Sequence, residues 1–157
     1  MATVKVSHRV LFGDTDALGI VYYGNYFRYF EIGRAEWFRQ FMKPFTHYVE
    51  QDYYLIVLES FCKHRKPARY DDVIEIESWA TDIKLISFAF EYVIRHSETK
   101  EILVEGYTLH TTTGKDGKLR RFTREFLAEL KALAEPSLLA KPKRRPTFNE
   151  KHEDSTS

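Results

Sequence analysis

The sequence has little of what would place a chain outside the cell, in a membrane or on nucleic acid. It has a single cysteine, Cys62, so no disulfide can form within the chain. A lone thiol of this kind suits a reducing compartment and reads as a buried, inert side chain. No run approaches the ~20 apolar residues of a membrane span, and the opening MATVKVSHRV lacks the apolar centre of a secretory signal. Charge of neither sign dominates: 24 Lys and Arg stand against 23 Asp and Glu, a formal net charge of +1. Bulk attraction to nucleic acid or to an anionic membrane is thereby excluded, and any anion site has to be local. No internal repeat and no dinucleotide-binding glycine motif occurs. His8, His47, His64, His96, His110 and His152 are scattered, with no metal-ligand spacing among them. The expectation is a soluble, cytoplasmic chain whose 157 residues form one domain with a core of its own.

Aromatic side chains are abundant, at 15% of residues, and their spacing divides the chain into elements. TVKVSHRVLF, residues 3 to 12, sets Val4 and Val6 on one parity and predicts a first strand. From Tyr26 the period lengthens. Tyr26, Phe30, Gly33, Trp37 and Phe41 recur three or four apart, and Phe27 and Phe38 widen the stripe, so a helix covered over most of its circumference is expected. Lys43-Pro44 ends it, and a loop follows around residues 44 to 52. YYLIVLESF is continuously apolar and predicts a strand buried on both faces. DDVIEIESWAT and ISFAFEYVIR alternate, the second with Ile86, Phe88, Phe90, Tyr92 and Ile94 on one face, and EILVEGYTLHTTT supplies a further strand. Connections this short permit only antiparallel pairing. Thr123 is placed to cap a last helix, with Phe122 and Leu127 as its hydrophobic staple and Pro136 as its limit. The expected fold class is α+β: one curved antiparallel sheet wrapped about one long central helix, over residues 1–136. An edge strand of such a sheet invites dimerisation. Residues 137–157 form a charged tail for which disorder is expected, its basic cluster Lys141, Lys143, Arg144 and Arg145 reading as solvated.

The stretch VLFGDTDALGIVYYGNYFRYFEIGR, residues 10 to 34, places Asp14 and Asp16 on a loop that leads into the aromatic helix. At a helix N-terminus unpaired backbone N–H groups can hold a developing negative charge. A carboxylate beside such donors is half of an acyl-transfer site, because the donors polarise a carbonyl that the carboxylate attacks or to which it delivers water. An aspartate in this setting also closes Asx-turns. Spacing alone leaves both readings open for Asp14 and Asp16.

The run FGDTDALGIVYYGNYFRYFE resembles the hotdog-fold thioesterases of the 4-hydroxybenzoyl-CoA thioesterase type. Their signature has an Asp-x-Asp step, a small residue and glycine, an apolar pair, aromatics and then Asn-Tyr. KPARYDDVIEIES resembles the strand-turn-strand of that family, and the order of elements agrees from about residue 4 to residue 134. The resemblance implies a hotdog fold and hydrolysis of an acyl- or aroyl-CoA thioester to free acid and coenzyme A. It gives Asp16, the second aspartate of the motif, the role of nucleophile or general base, and gives the backbone N–H of Tyr23 the polarising role. It implies no metal or other cofactor, coenzyme A being part of the substrate, and a homodimer or homotetramer with the site at a subunit boundary. Asp14 keeps a turn or capping role. Short-chain acyl-CoA relatives carry a histidine where this chain has Tyr23, which sets the chain apart from that branch. A second hotdog lineage uses a glutamate on the central helix, for which Glu31 stands nearest and reads as a structural or supporting residue. Coenzyme A phosphates call for cations. Lys63, Arg65, Lys66 and Arg69 lie between two strands, and Lys84, Arg120 and Arg121 are the chosen candidates. The alternative function is a hotdog module that binds acyl-CoA or acyl carrier protein without turnover, in which Asp16 would have no task.

Overall fold

In the computed structural model, residues 1–139 are described. The elements run β1 (Thr3–Arg9), a 3₁₀ turn (Phe12–Asp14), α1 (Asn25–Phe41), α2 (Phe45–Glu50), β2 (Tyr54–His64), β3 (Val73–Thr81), β4 (Phe88–His96), β5 (Ile102–Thr113) and α3 (Arg124–Leu133). The five strands form one antiparallel sheet in the order β1-β3-β4-β5-β2. Alternation decides which face each side chain takes. Ile74 and Ile76 of β3, Phe88, Phe90, Tyr92 and Ile94 of β4, and Val104 of β5 are all fully buried in one core.

Helix α1 fills the hollow of that sheet with Tyr26, Tyr29, Phe30, Gly33, Trp37 and Phe38. Phe30 stacks on Tyr92 at 4.1 Å between ring centroids, and the Trp37 indole N–H donates to the Ala2 carbonyl at 2.8 Å. Burying rings of this size contributes roughly 1.5–3 kcal/mol each. Gly33 is required by the close approach of α1 to β3, since a Cβ there would run into the Ser78 hydroxyl. The axis of α1, and with it the position of its N-terminus, is thereby fixed against the sheet.

Four expectations change. β1 ends at Arg9 because Phe12–Asp14 turns instead of extending. The segment expected as loop holds α2, a six-residue helix whose Phe45 and Tyr48 pack on Phe38; a helix that short shows too few turns for its period to register. Ile86 precedes β4 in an exposed turn. β2 is an edge strand, with Val57 and Leu58 exposed at a register shift between Val57 and Glu59, where burial on both faces was expected. Among the described residues its apolar run has one strand neighbour, β5.

Thr123 caps α3 as expected, its hydroxyl accepting from the Phe126 N–H at 3.1 Å, while the ring that meets Phe122 belongs to Phe126. Beyond α3 the chain returns across the sheet. Glu91, 2% exposed, accepts from the Ser137 hydroxyl and from the N–H groups of Leu138 and Leu139. The first residues of the expected tail are thus held on the sheet. The rest of it, with the basic cluster Lys141, Lys143, Arg144 and Arg145, lies outside the described residues.

Candidate active site

The loop between β1 and α1 is pinned from within by Asp14. Its Oδ2 accepts from the Leu11 N–H at 3.1 Å and from the Tyr29 hydroxyl at 2.9 Å, and His8 Nε2 lies 3.7 Å away. Burial alone would raise the Asp14 pKa; the Leu11 N–H, the Tyr29 hydroxyl and His8 together outweigh it and hold the carboxyl below its ordinary value. The opposite holds for Tyr29, whose pKa is pushed up by burial first and by donation to Asp14 second. The Asp14 carbonyl accepts from the Tyr22 N–H and from the Asn25 side-chain amide, both at 2.9 Å, which ties the loop to the entrance of α1. Asp14 is therefore a buried capping residue.

Asp16 sits at the tip of a tight return. Thr15 bridges Val21, the Asp16 N–H donates to the Ile20 carbonyl at 2.8 Å, and Gly19 closes the turn at φ +74°, where a side chain would be strained. Oδ1 of Asp16 accepts from the Leu18 N–H at 2.8 Å, so the Asx-turn foreseen as the structural reading is present. The residue is nonetheless exposed, and a single N–H occupies a single oxygen. Apolar side chains surround this tip without covering it: Leu18 and Phe12 are each 77% exposed. In an isolated chain so much open apolar surface next to a carboxylate marks a contact surface.

Tyr23 lies immediately before the Gly24 cap of α1. The Tyr22 and Tyr23 carbonyls accept from the Asn25 and Tyr26 N–H groups, and the Tyr23 N–H meets no backbone acceptor among the described residues. This is the orphan donor expected at a helix start. Asp16 and Tyr23 thus share one loop, Asp16 at its tip and Tyr23 where its returning arm enters α1.

The chosen cations lie elsewhere. Lys84 stands in the β3–β4 turn, and Arg120 and Arg121 follow β5, at the end of the sheet away from the Asp16 loop. The nine residues of β3 separate the two ends, about 30 Å at ~3.3 Å per residue. Arg120 is also engaged, donating to the Asp52 carbonyl at 2.8 Å and its carboxylate at 3.0 Å while covering the Tyr53 ring. Arg69 is the cation whose backbone pairs with Ile20 in the Asp16 loop; that long-range pairing has no signature in the sequence. Arg65 and Lys66 are paired with Glu105 and Glu101. Glu31 is exposed on α1 and shares the wall of a partly open cavity with Arg34 and His110. Sequence reasoning passed over Tyr29, the partner of Asp14, although its place three residues after Tyr26 puts it on the same helix face.

Comparison with known proteins gives these features a family. The thioesterase superfamily matches residues 18–103. A protein of Aquifex aeolicus bearing the provisional name esterase is 33% identical over 123 residues, which is 78% of this chain and 94% of that protein. Acyl-CoA thioester hydrolase YbgC of Escherichia coli O6:H1 is 30% identical over 90 residues, 57% of this chain and 67% of the relative. Among solved structures, the 1,4-dihydroxy-2-naphthoyl-CoA thioesterase Slr0204 of Synechocystis superposes with a TM-score of 0.75 at 18% identity, covering 83% of this chain and 97% of that one. At that identity the likeness is one of fold. The chain belongs to the thioesterase superfamily. It is a hotdog-fold thioester hydrolase. Among the described residues no helix is long and apolar enough to cross a membrane.

Proposed function

We propose that this chain hydrolyses an acyl- or aroyl-coenzyme A thioester to the free acid and coenzyme A, with Asp16 as nucleophile or general base. The observation that carries this reading is that one loop holds both an exposed carboxylate, steadied by the Leu18 N–H at 2.8 Å, and the unengaged Tyr23 N–H at the entrance of α1. In the nucleophilic course, Asp16 Oδ adds to the thioester carbon, the C–S bond breaks, and coenzyme A leaves as a thiolate; water then cleaves the acyl-aspartyl anhydride. In the general-base course, Asp16 takes a proton from the water that adds. Either way the carbonyl oxygen gains charge against the Tyr23 N–H. The substrate of YbgC supports the coenzyme A thioester class, and the name of Slr0204 supports extending it to aroyl groups.

The reading includes a homodimer or homotetramer with the site at a subunit boundary. Two features support it: the open apolar rim of Asp16 and the apolar edge strand β2. In that assembly Lys84, Arg120 and Arg121, remote from Asp16 in their own chain, would serve the coenzyme A phosphates of a partner's site, whereas Arg69 would serve its own. Free-thiol release from a panel of aliphatic and aromatic acyl-CoA esters tests the function. Cleavage of at least one member is expected. Tight binding with no cleavage of any member would favour the non-catalytic acyl-CoA or acyl-carrier-protein module.

A further inference from the structure

Between α1, α2, α3 and the concave face of the sheet lies a cavity of about 250 Å³. Its wall is mainly aromatic, with Phe38, Tyr48, Phe122 and Phe126 among its members, and its charged groups are Glu31 and Arg34 of α1. From Tyr23 to Arg34 the chain climbs about 16 Å along the helix at ~1.5 Å per residue, so this space is distinct from the place of the thioester carbonyl in the same chain.

A chain of buried polar groups runs from Arg34 to His110. The Tyr92 hydroxyl is 2.6 Å from Thr108 Oγ1, which is 2.7 Å from His110 Nε2, and none of the three residues is more than 2% exposed. A guanidinium can only donate, and Arg34 faces the Tyr92 oxygen. Tyr92 must then give its proton to Thr108, and Thr108 must give its own to His110 Nε2. The imidazole is neutral, because burial, helped by the Arg34 charge, holds its pKa down to about 3. Its one proton is therefore left on Nδ1. That N–H is directed at the Ile56 backbone carbonyl and, His110 being fully buried, is closed off from the cavity space. The cationic group of the cavity wall is thus the Arg34 guanidinium, held beside this buried polar chain and set in aromatic surface.

We propose that this cavity is a second ligand site, taking one ring or a short chain that ends in a carboxylate, with the oxygens received by Arg34. An apolar cavity of roughly 150 Å³ holds a benzene ring, so 250 Å³ admits a substituted one. Glu31, exposed at the wall, disfavours a second negative charge on the outer end of the ligand, which makes the ligand a monoanion. The same chemistry comes from a free carboxylic acid or from the oxygenated far end of a thioester's acyl group.

Calorimetric titration of the full chain with benzoate and hexanoate reads binding directly, whether or not the protein hydrolyses thioesters. Benzamide and terephthalate are the comparators. Two variants accompany them: Arg34→Met, and Val49→Trp, which places an indole at a partly exposed position of the wall. Benzoate or hexanoate is expected to bind, with affinity about tenfold or more weaker for benzamide and in Arg34→Met, which lose one charge-assisted pair, and likewise weaker for terephthalate, which meets Glu31, and in Val49→Trp, whose indole fills the space. Competition between benzoate and thioester assigns the site to the acyl group, binding without competition assigns it to a free acid, and both uphold it. Failure of both acids to bind the native protein overturns the proposal. So does undiminished binding in Val49→Trp, a check that holds even if Arg34→Met does not fold.

Discussion

Asp14 and Asp16 are two residues apart, and their surroundings give them opposite tasks. Asp14 turns inward, and its carboxylate satisfies a buried tyrosine hydroxyl and a backbone N–H. Asp14→Ala should cost about 1–3 kcal/mol in urea unfolding, because Tyr29, 2% exposed, would keep a hydroxyl with no acceptor. The lowered Asp14 pKa means that its stabilising effect is complete above the ordinary carboxylate value and is lost as pH falls through the folded value. His110 acts in a higher window. Its folded pKa of about 3 lies below the ordinary 6.5, so between those values the unfolded chain binds a proton that the folded chain refuses. Stability should fall as pH drops from 6.5 toward 3, by up to about 1.4 kcal/mol per pH unit from this group. Unfolding measured across that range should show a shallower pH slope for His110→Gln than for the native chain.

At the scale of elements, the helix and sheet meet where glycine permits it. Gly33→Ala would drive a methyl into Ser78 of β3 and should cost about 1–3 kcal/mol. Ser78 Oγ is buried without a partner, so Ser78→Ala alone should cost almost nothing in thermal unfolding, and combined with Gly33→Ala it should recover part of the loss. Much of this architecture is legible in the sequence, because three- and four-residue spacing from Tyr26 to Phe41 and alternation from Phe88 to Ile94 are direct consequences of burying one face. What is not legible has a common cause in pairing between distant segments. The run YLIVLESF looks the same whether its second face meets this chain or a copy of it, and Asp14 shows its burial only once Tyr29 and His8 have closed over it. The motif points to Asp16 as the candidate carboxylate, but the sequence did not indicate that Lys84, Arg120 and Arg121 lie at the other end of the sheet.

For the whole molecule, the exposed edge strand and the open rim of Asp16 point to the same consequence. An apolar edge strand is a pairing surface, and in the proposed assembly a second copy would close the site. Leu58→Lys, at an exposed position on β2, should shift the assembly toward monomer in sedimentation and lower hydrolysis together with it, while the monomer keeps its fold. The central claim is that the Asp16 carboxylate performs the chemistry, and Asp16→Asn tests it most directly. The asparagine oxygen can still accept from the Leu18 N–H, so the loop and the melting temperature should be unchanged. Hydrolysis of the best acyl-CoA substrate should fall about 10²–10⁴-fold in kcat/KM. A folded Asp16→Asn protein that hydrolyses the thioester at the native rate would contradict the account.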